Sequence, residues 1–323
     1  MKNNIFVVNN EPFCLWDEDL KDRNKEFLSG IDTEYFSLFV DMFESNRTNE
    51  RAALALRTAF HHALETLFSL IGALIQAPNC PYAWIAKYKT HQLKSFVERV
   101  NKEETDIFTS LNIERVTWTN LAQTVFIGFN KNTERYKEVV GLYSELWAKL
   151  ANEFLKSVHH DEYNSIKHGL RIRSGGTALD IATSMEGAFS EKKFEPYIYS
   201  ENGTTTLKLE RISSKDDERS LRVTRSSVNW SAQKTALILQ LVIYSIHNVV
   251  AKLKSINEPK IDELTYLMPD DDKSFTAPWE HASGNASIKI KSITKIKENM
   301  STNKNTLQEQ IDSFMKSKQG KLD

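Results

Sequence analysis

The chain has 323 residues, a formal net charge of −1, and 26% charged and 10% aromatic side chains; this is the composition of a folded chain able to bury a sizeable core, not of a disordered one. Near-neutrality excludes a uniformly basic surface that coats nucleic acid, while leaving room for a local basic face. The two cysteines, Cys14 and Cys80, stand in no ligand spacing, which excludes a disulfide scaffold and a cysteine-based zinc site.

Residues 1–32 are polar and aperiodic, so an irregular N-terminal arm is expected there. The apolar run at Ile5 is too short for a signal-peptide core. A first helix is expected at 33–43. The strongest periodic signal follows at 49–77, where Ala53, Leu56, Phe60, Leu64, Leu67, Ile71 and Leu74 recur at steps of three and four. Asn49 is placed to cap that helix, and Pro78 and Pro81 to end it.

An amphipathic helix at 81–100 comes next, carrying Trp84, Ile85, Tyr88, Leu93 and Val97. A shorter buried helix is expected at 118–129. A long one follows at 133–158, with Tyr136, Val139, Val140, Tyr143, Leu146, Trp147, Leu150, Phe154 and Leu155 as its stripe. After Gly175-Gly176 the pattern changes. A short helix is expected at 178–189, then a hairpin turning on Asn202-Gly203 between strands at 197–200 and 204–212, with a third strand at 221–228. Ser231 is placed to cap a long apolar helix reaching about residue 256 and carrying Leu237, Leu241, Tyr244, Val249 and Leu253.

The C-terminal part reads as a Pro/Asp-rich loop at 268–278, an alternating strand at 288–296 and a polar amphipathic tail. From Ala286 onward eight lysines face four acids, so this end is locally basic. The apolar stretches at 63–77 and 236–246 each carry polar interruptions and fall short of the ~20 residues that span a bilayer. The expectation is therefore a cytoplasmic, mainly α protein without membrane contact: a helical bundle with long core helices and an inserted β-hairpin or small sheet. Its organisation reads as an arm at 1–32, a helical domain at 33–256 with a β-rich insertion at about 190–230, and a loop, strand and basic tail at 257–323.

The chemistry-bearing segment is Tyr163-Asn164-Ser165-Ile166-Lys167-His168-Gly169, followed by Arg171 and Arg173. Asn164 and His168 are four residues apart, and His168 and Arg171 three, so each pair shares a helix face. Polar groups gathered at a helix junction must be solvated, paired or functional. A second constellation lies on the long apolar helix, where Arg57, His61 and Glu65 follow one another at steps of four. A histidine beside a carboxylate is a candidate general base; the same three residues also make a stabilising polar stripe, with Glu65 and Arg57 pairing through or around His61. Arg57 and His62 stand about 140° apart on that helix and diverge. His159-His160 lacks a third ligand at productive spacing, so no metal is expected. No phosphate loop, nucleophile elbow or dinucleotide fingerprint occurs, and no cofactor is expected. Further cations, among them Arg222 and Arg225, follow the segment and could hold a phosphate backbone; interspersed acids make an ordinary solvated surface the alternative.

On Asn164, the three-residue spacer and Lys167-His168-Gly169, the sequence resembles the HEPN superfamily. These are small helical-bundle proteins of RNA-cleaving toxins, antiphage defence effectors and tRNA-directed enzymes. Their signature is an arginine, a polar residue, a short spacer and a histidine at a junction of core helices. Tyr163 stands where the family places its arginine, and a phenol cannot supply a guanidinium's fixed fork. The resemblance implies RNA binding or a metal-independent endoribonuclease of a bacterial defence or toxin-type system. In that scheme His168 is the acid–base or phosphate-contacting residue, Asn164 orients it, and Lys167, Arg171 or Arg173 supplies the missing charge. A homodimer with facing motifs is also implied. The alternatives are that Asn164 and His168 merely cap and cross-link the junction, and that the chain is a non-catalytic helical interaction or regulatory subunit that binds a protein partner.

Overall fold

In a computed structural model, residues 3–16, 18–129, 133–169, 171–174, 178–179, 197–198, 202–211, 221–258, 264–280, 290–293 and 304–319 are described. In chain order the elements are β1 (Asn3–Val8), β2 (Glu11–Trp16), α1 (Leu20–Gly30), α2 (Ser37–Ser45), α3 (Glu50–Gln76), α4 (Pro81–Lys87), α5 (Thr90–Asn101), α6 (Trp118–Val125), α7 (Glu134–Leu155), α8 (Ser157–Lys167), β3 (Ile172–Ser174), β4 (Ala178–Leu179), β5 (Tyr197–Ile198), β6 (Gly203–Arg211), β7 (Leu221–Asn229), α9 (Ala232–Asn257), α10 (Ala277–Glu280), β8 (Ile290–Ile293) and α11 (Lys304–Gln319). Short 3₁₀ turns cover Phe126–Gly128 and Asp272–Phe275. The chain is mainly helical with small antiparallel sheets, and it divides into two units: residues 1–163 with 231–284, and residues 164–230 with 285–323.

The first unit is built on α3 and α9, its most extensively packed helix pair. Asn49 starts α3 by accepting from the backbone N–H groups of Arg51 and Ala52, and Ser231 starts α9 by accepting from Lys234 N; each satisfies donors that a helix start leaves orphaned. All seven residues of the α3 stripe are buried. Both helices are long and apolar enough to cross a membrane, but 83% and 67% of their most apolar windows is buried within the protein, as in core helices. On α9, Leu237 is 41% exposed, while its neighbour Ile238 is buried. Thr133 caps α7, whose Val139, Tyr143, Leu146, Trp147 and Leu150 are buried.

The N-terminal segment is not an irregular arm. β1 and β2 form an antiparallel hairpin closed by Asn9-Asn10, with Val8 opposite Glu11 and Asn9 at φ 56°. Asparagine tolerates that left-handed conformation, which a two-residue hairpin turn requires. Phe6 and Val8 point inward while Ile5 is exposed, the period-2 pattern of a half-buried strand. The turn is bonded to the helices: Asn9 N donates to Gln76 Oε1 at 2.8 Å, Gln76 Nε2 to Asn9 O at 2.9 Å, and Arg99 Nη1 to Asn9 Oδ1 at 3.0 Å. The helix expected at 81–100 is two helices. Tyr88 is extended, at φ −62° and ψ 151°, and α5 restarts where Gln92 Oε1 accepts from Lys89 N.

In the second unit β3, β6, β7 and β8 form one antiparallel sheet in that order, and β4 pairs with β5. The Asn202-Gly203 hairpin does not form as expected. Gly203 opens β6 and pairs with Asn229, so β6 takes β7 along its whole length, from Gly203↔Asn229 to Arg211↔Leu221. β6 has β7 on one edge and, next to the turn at Thr204–Thr206, β3 on the other, so β5 pairs instead with the two-residue β4. The helix expected at 178–189 instead begins in β4, and its remainder lies outside the described residues. The β-rich part is also larger than expected: it starts at Ile172, and β8, from the segment read as a separate tail, pairs with β7.

Candidate functional site

The face of α3 that carries Arg57, His61 and Glu65 meets His159, Glu162 and Tyr163, the first unit's share of α8. Glu162 is the centre. Its Oε2 accepts from Arg57 Nε at 3.1 Å, from Arg57 Nη2 at 2.9 Å and from His61 Nε2 at 3.1 Å. The Glu162 side chain has no solvent exposure, and those of Arg57 and His61 are 5% and 4% exposed. A carboxylate so buried stays ionised only with a paired cation. With Oε2 acting as acceptor, His61 carries its proton on Nε2.

Glu65 makes a different set of bonds. It accepts from the Tyr88 hydroxyl at 3.4 Å and from the Tyr163 hydroxyl. Burial, then the Glu65 charge, holds both phenols protonated well above the usual tyrosine range. Rather than the alternative in which Glu65 and Arg57 pair through or around His61, Arg57 and His61 are joined through Glu162, and Glu65 serves the two tyrosines.

The His61 ring lies with its centroid 5.6 Å from those of His159 and Tyr163. Burial, then the Arg57 charge, pushes the His61 pKa down against the opposing pull of Glu162. Burial, Arg57 and His61 together take His159 down to about 2. His159 Nδ1 has no hydrogen-bond partner and sits 3.5 Å from Glu153 Oε2. Two neutral imidazoles thus share a dry site with one guanidinium–carboxylate pair. Such concentration of perturbed groups is typical of functional sites and of structural ion-pair networks alike.

In the second unit, Asn164, Lys167, His168, Arg171 and Arg173 surround the end of α8. His168 N donates to Asn164 O at 3.0 Å and Arg171 N donates to Ser165 O at 2.7 Å, while Gly169 has φ +92°. A left-handed glycine with such backward bonds is a helix C-cap. The bond between Asn164 and His168 runs backbone to backbone. Lys167, His168, Arg171 and Arg173 are exposed and Asn164 is half-buried. Register separates the other expected cations. Arg173 pairs with Thr205, and Arg225 with Leu207 two positions along β6, whereas Arg222 pairs with Glu210. Strand alternation puts the Arg222 position on the opposite face from the Arg173 and Arg225 positions.

Sequence reading missed Glu162 and His159 as members of the Arg57 site. Their spacing of three on one helix was visible, but nothing local marked α3 as their partner. Among the described residues no three His, Cys, Asp or Glu side chains gather as a metal site. A cleft of about 400 Å³ in the first unit, lined by Asn112, Asn120, Gln123 and Tyr136 among others, shares no residue with the network. No protein-family model matches the chain, and no curated protein or solved structure matches it significantly.

Proposed function

We propose that the chain is a HEPN-like RNA-binding protein that contacts phosphates through the turn ending α8. The observation that carries this reading is the joint exposure of Lys167, His168, Arg171 and Arg173 around a turn fixed by Gly169 and two backbone bonds. Cations held at such a turn meet a phosphate backbone at small ordering cost. Tyr163 offers no arginine fork, and its hydroxyl is bonded to Glu65, which favours the binding-only form. In the cleaving form, His168 acts as acid–base in metal-independent transesterification, with Asn164 and Arg171 beside it. The cytoplasmic defence or toxin-type setting and the homodimer belong to the same proposal through the family resemblance.

A second reading is a non-catalytic interaction subunit. It is favoured by α11, on which Ile311, Phe314 and Met315 are all more than half exposed. Anisotropy titrations with single-stranded RNA at several salt concentrations separate the two. On the RNA reading, Lys167→Ala, Arg171→Ala and Arg173→Ala each weaken binding and lower the salt slope by about 0.7. Absence of salt-sensitive RNA binding by the wild type overturns it in favour of the interaction subunit. Incubation with RNA in EDTA, wild type against His168→Ala, then tells the cleaving form from the binding form.

A further inference from the structure

The network around Glu162 contains more titratable groups than a static ion pair needs. From α3 come Arg57, His61 and Glu65; Tyr88 follows α4; Glu153 comes from α7; Lys156 links α7 to α8; and His159, Glu162 and Tyr163 come from α8. Each anion is already engaged. Glu162 Oε2 takes three donors from Arg57 and His61, Glu65 takes the two phenols, and Glu153 is bonded by Lys156 Nζ at 2.5 Å. A proton arriving on either imidazole therefore adds positive charge beside a buried guanidinium whose own carboxylate already takes three donors, and the Glu153 Oε2 that lies 3.5 Å from His159 Nδ1 belongs to a carboxylate that Lys156 already engages through Oε1.

We propose that this network is a proton-operated latch: neutral His61 and His159 hold the first turns of α8 against α3, and protonation of either ring releases them. The hinge is Lys156, extended at φ −60° and ψ 120° between two helices that are otherwise nearly continuous. Its carbonyl accepts from the N–H groups of both His159 and His160, so α8 starts as a separate turn. Release lets both rings hydrate and relieves the charge conflict, while the core pair α3–α9 stays packed. The depressed pKa of both rings agrees with this, because a site that excludes the proton when closed must open to take it up. The latch rests on the first unit's geometry and is independent of RNA binding.

Hydrogen exchange of the intact chain, corrected for intrinsic rates, reads the latch directly. Between pH 8 and pH 5 the opening equilibrium of α8 peptides rises about thirtyfold for each imidazole that ionises only when open, about a thousandfold for both, while peptides from the middle of α7 stay protected. His159→Phe leaves the Arg57–Glu162–His61 bonds in place and roughly halves the logarithmic pH slope. His61→Gln combined with His159→Phe abolishes it. Unchanged α8 protection in the wild type from pH 8 to pH 5 overturns the proposal, as does a wild-type slope in His159→Phe. Should the variants fail to fold, imidazole NMR shifts of the wild type decide alone. Rings that stay neutral below pH 5 in the closed protein support the latch, and rings that titrate near 6.5 overturn it.

Discussion

Arg57 and Glu162, 105 residues apart, form an ion pair in which two guanidinium N–H groups converge on one carboxylate oxygen at 3.1 and 2.9 Å, almost without solvent. Burying both charges costs desolvation that their attraction only partly returns, so the pair as a whole contributes little net stability. Removing one partner is different, since the other keeps its charge in a buried site without its main counter-ion. Glu162→Ala is expected to cost about 3–5 kcal/mol. Arg57→Met combined with Glu162→Leu should recover most of that loss. Urea denaturation followed by helical circular dichroism measures both, with Arg57→Met and Glu162→Leu as the single variants that close a double-mutant cycle; additive losses would contradict the pairing.

The same network gives stability a pH dependence whose sign is fixed. His159 has a folded pKa of about 2 against an ordinary 6.5. Between those values the unfolded chain binds a proton that the folded chain refuses, so stability is full above pH 6.5 and falls as pH drops toward 2. The slope is about 1.4 kcal/mol per pH unit for one such group. The His159 side chain is only 14% exposed, so solvent screening weakens this little. Scanning calorimetry at pH 7.5, 6.5 and 5.5 should show the midpoint falling, and His159→Phe should flatten the decline.

How much of this was legible beforehand depends on the range of the forces involved. The helices α3, α7 and α9 announce themselves through long apolar periodicity and through Asn49, Thr133 and Ser231, which act within three residues. Arg57, His61 and Glu65 stood out because charge is costly in so apolar a helix. Their partners did not, because Glu162 reaches Arg57 through tertiary packing that no local pattern encodes. The β1–β2 hairpin was hidden by its brevity and by exposed Ile5 and Trp16, which blur the alternation. Pairing of β7 with β8 joins segments more than 60 residues apart, where local turn signals such as Asn202-Gly203 carry no information.

Gly72 is a packing glycine rather than a conformational one. A Cβ built there would lie 2.3 Å from Trp84 Cη2 and 2.6 Å from Cζ2. Trp84 is fully buried, and its indole N–H donates to Val7 O at 3.0 Å and to Gln76 Oε1 at 3.2 Å, so the ring cannot retreat without losing bonds. Gly72→Ala should destabilise by about 1–3 kcal/mol, despite the better helix propensity of alanine. Thermal denaturation measures the loss, and Trp84→Leu in the same background should restore part of it by removing the clash.

Asn248 substitutes a side chain for a strand partner. Its Oδ1 accepts from Leu267 N at 2.8 Å, and its Nδ2 donates to Leu267 O at 2.7 Å and to the Tyr143 hydroxyl at 3.0 Å. Tyr143 in turn donates to Leu267 O at 2.6 Å. The carboxamide thus ties the segment around Leu267 to α9 and α7 through the fully buried side chains of Asn248 and Tyr143, and a stranded buried donor costs more than the bond itself is worth. Asn248→Ala is expected to cost about 2–3 kcal/mol and to remove the exchange protection of the Leu267 amide. Asn248→Asp keeps the acceptor and should leave that amide protected, while losing the Nδ2 bonds to Leu267 O and to the Tyr143 hydroxyl. Equal loss of Leu267 protection in both variants would show that the Oδ1 acceptor does not by itself protect that amide, since Asp keeps both the acceptor and the volume.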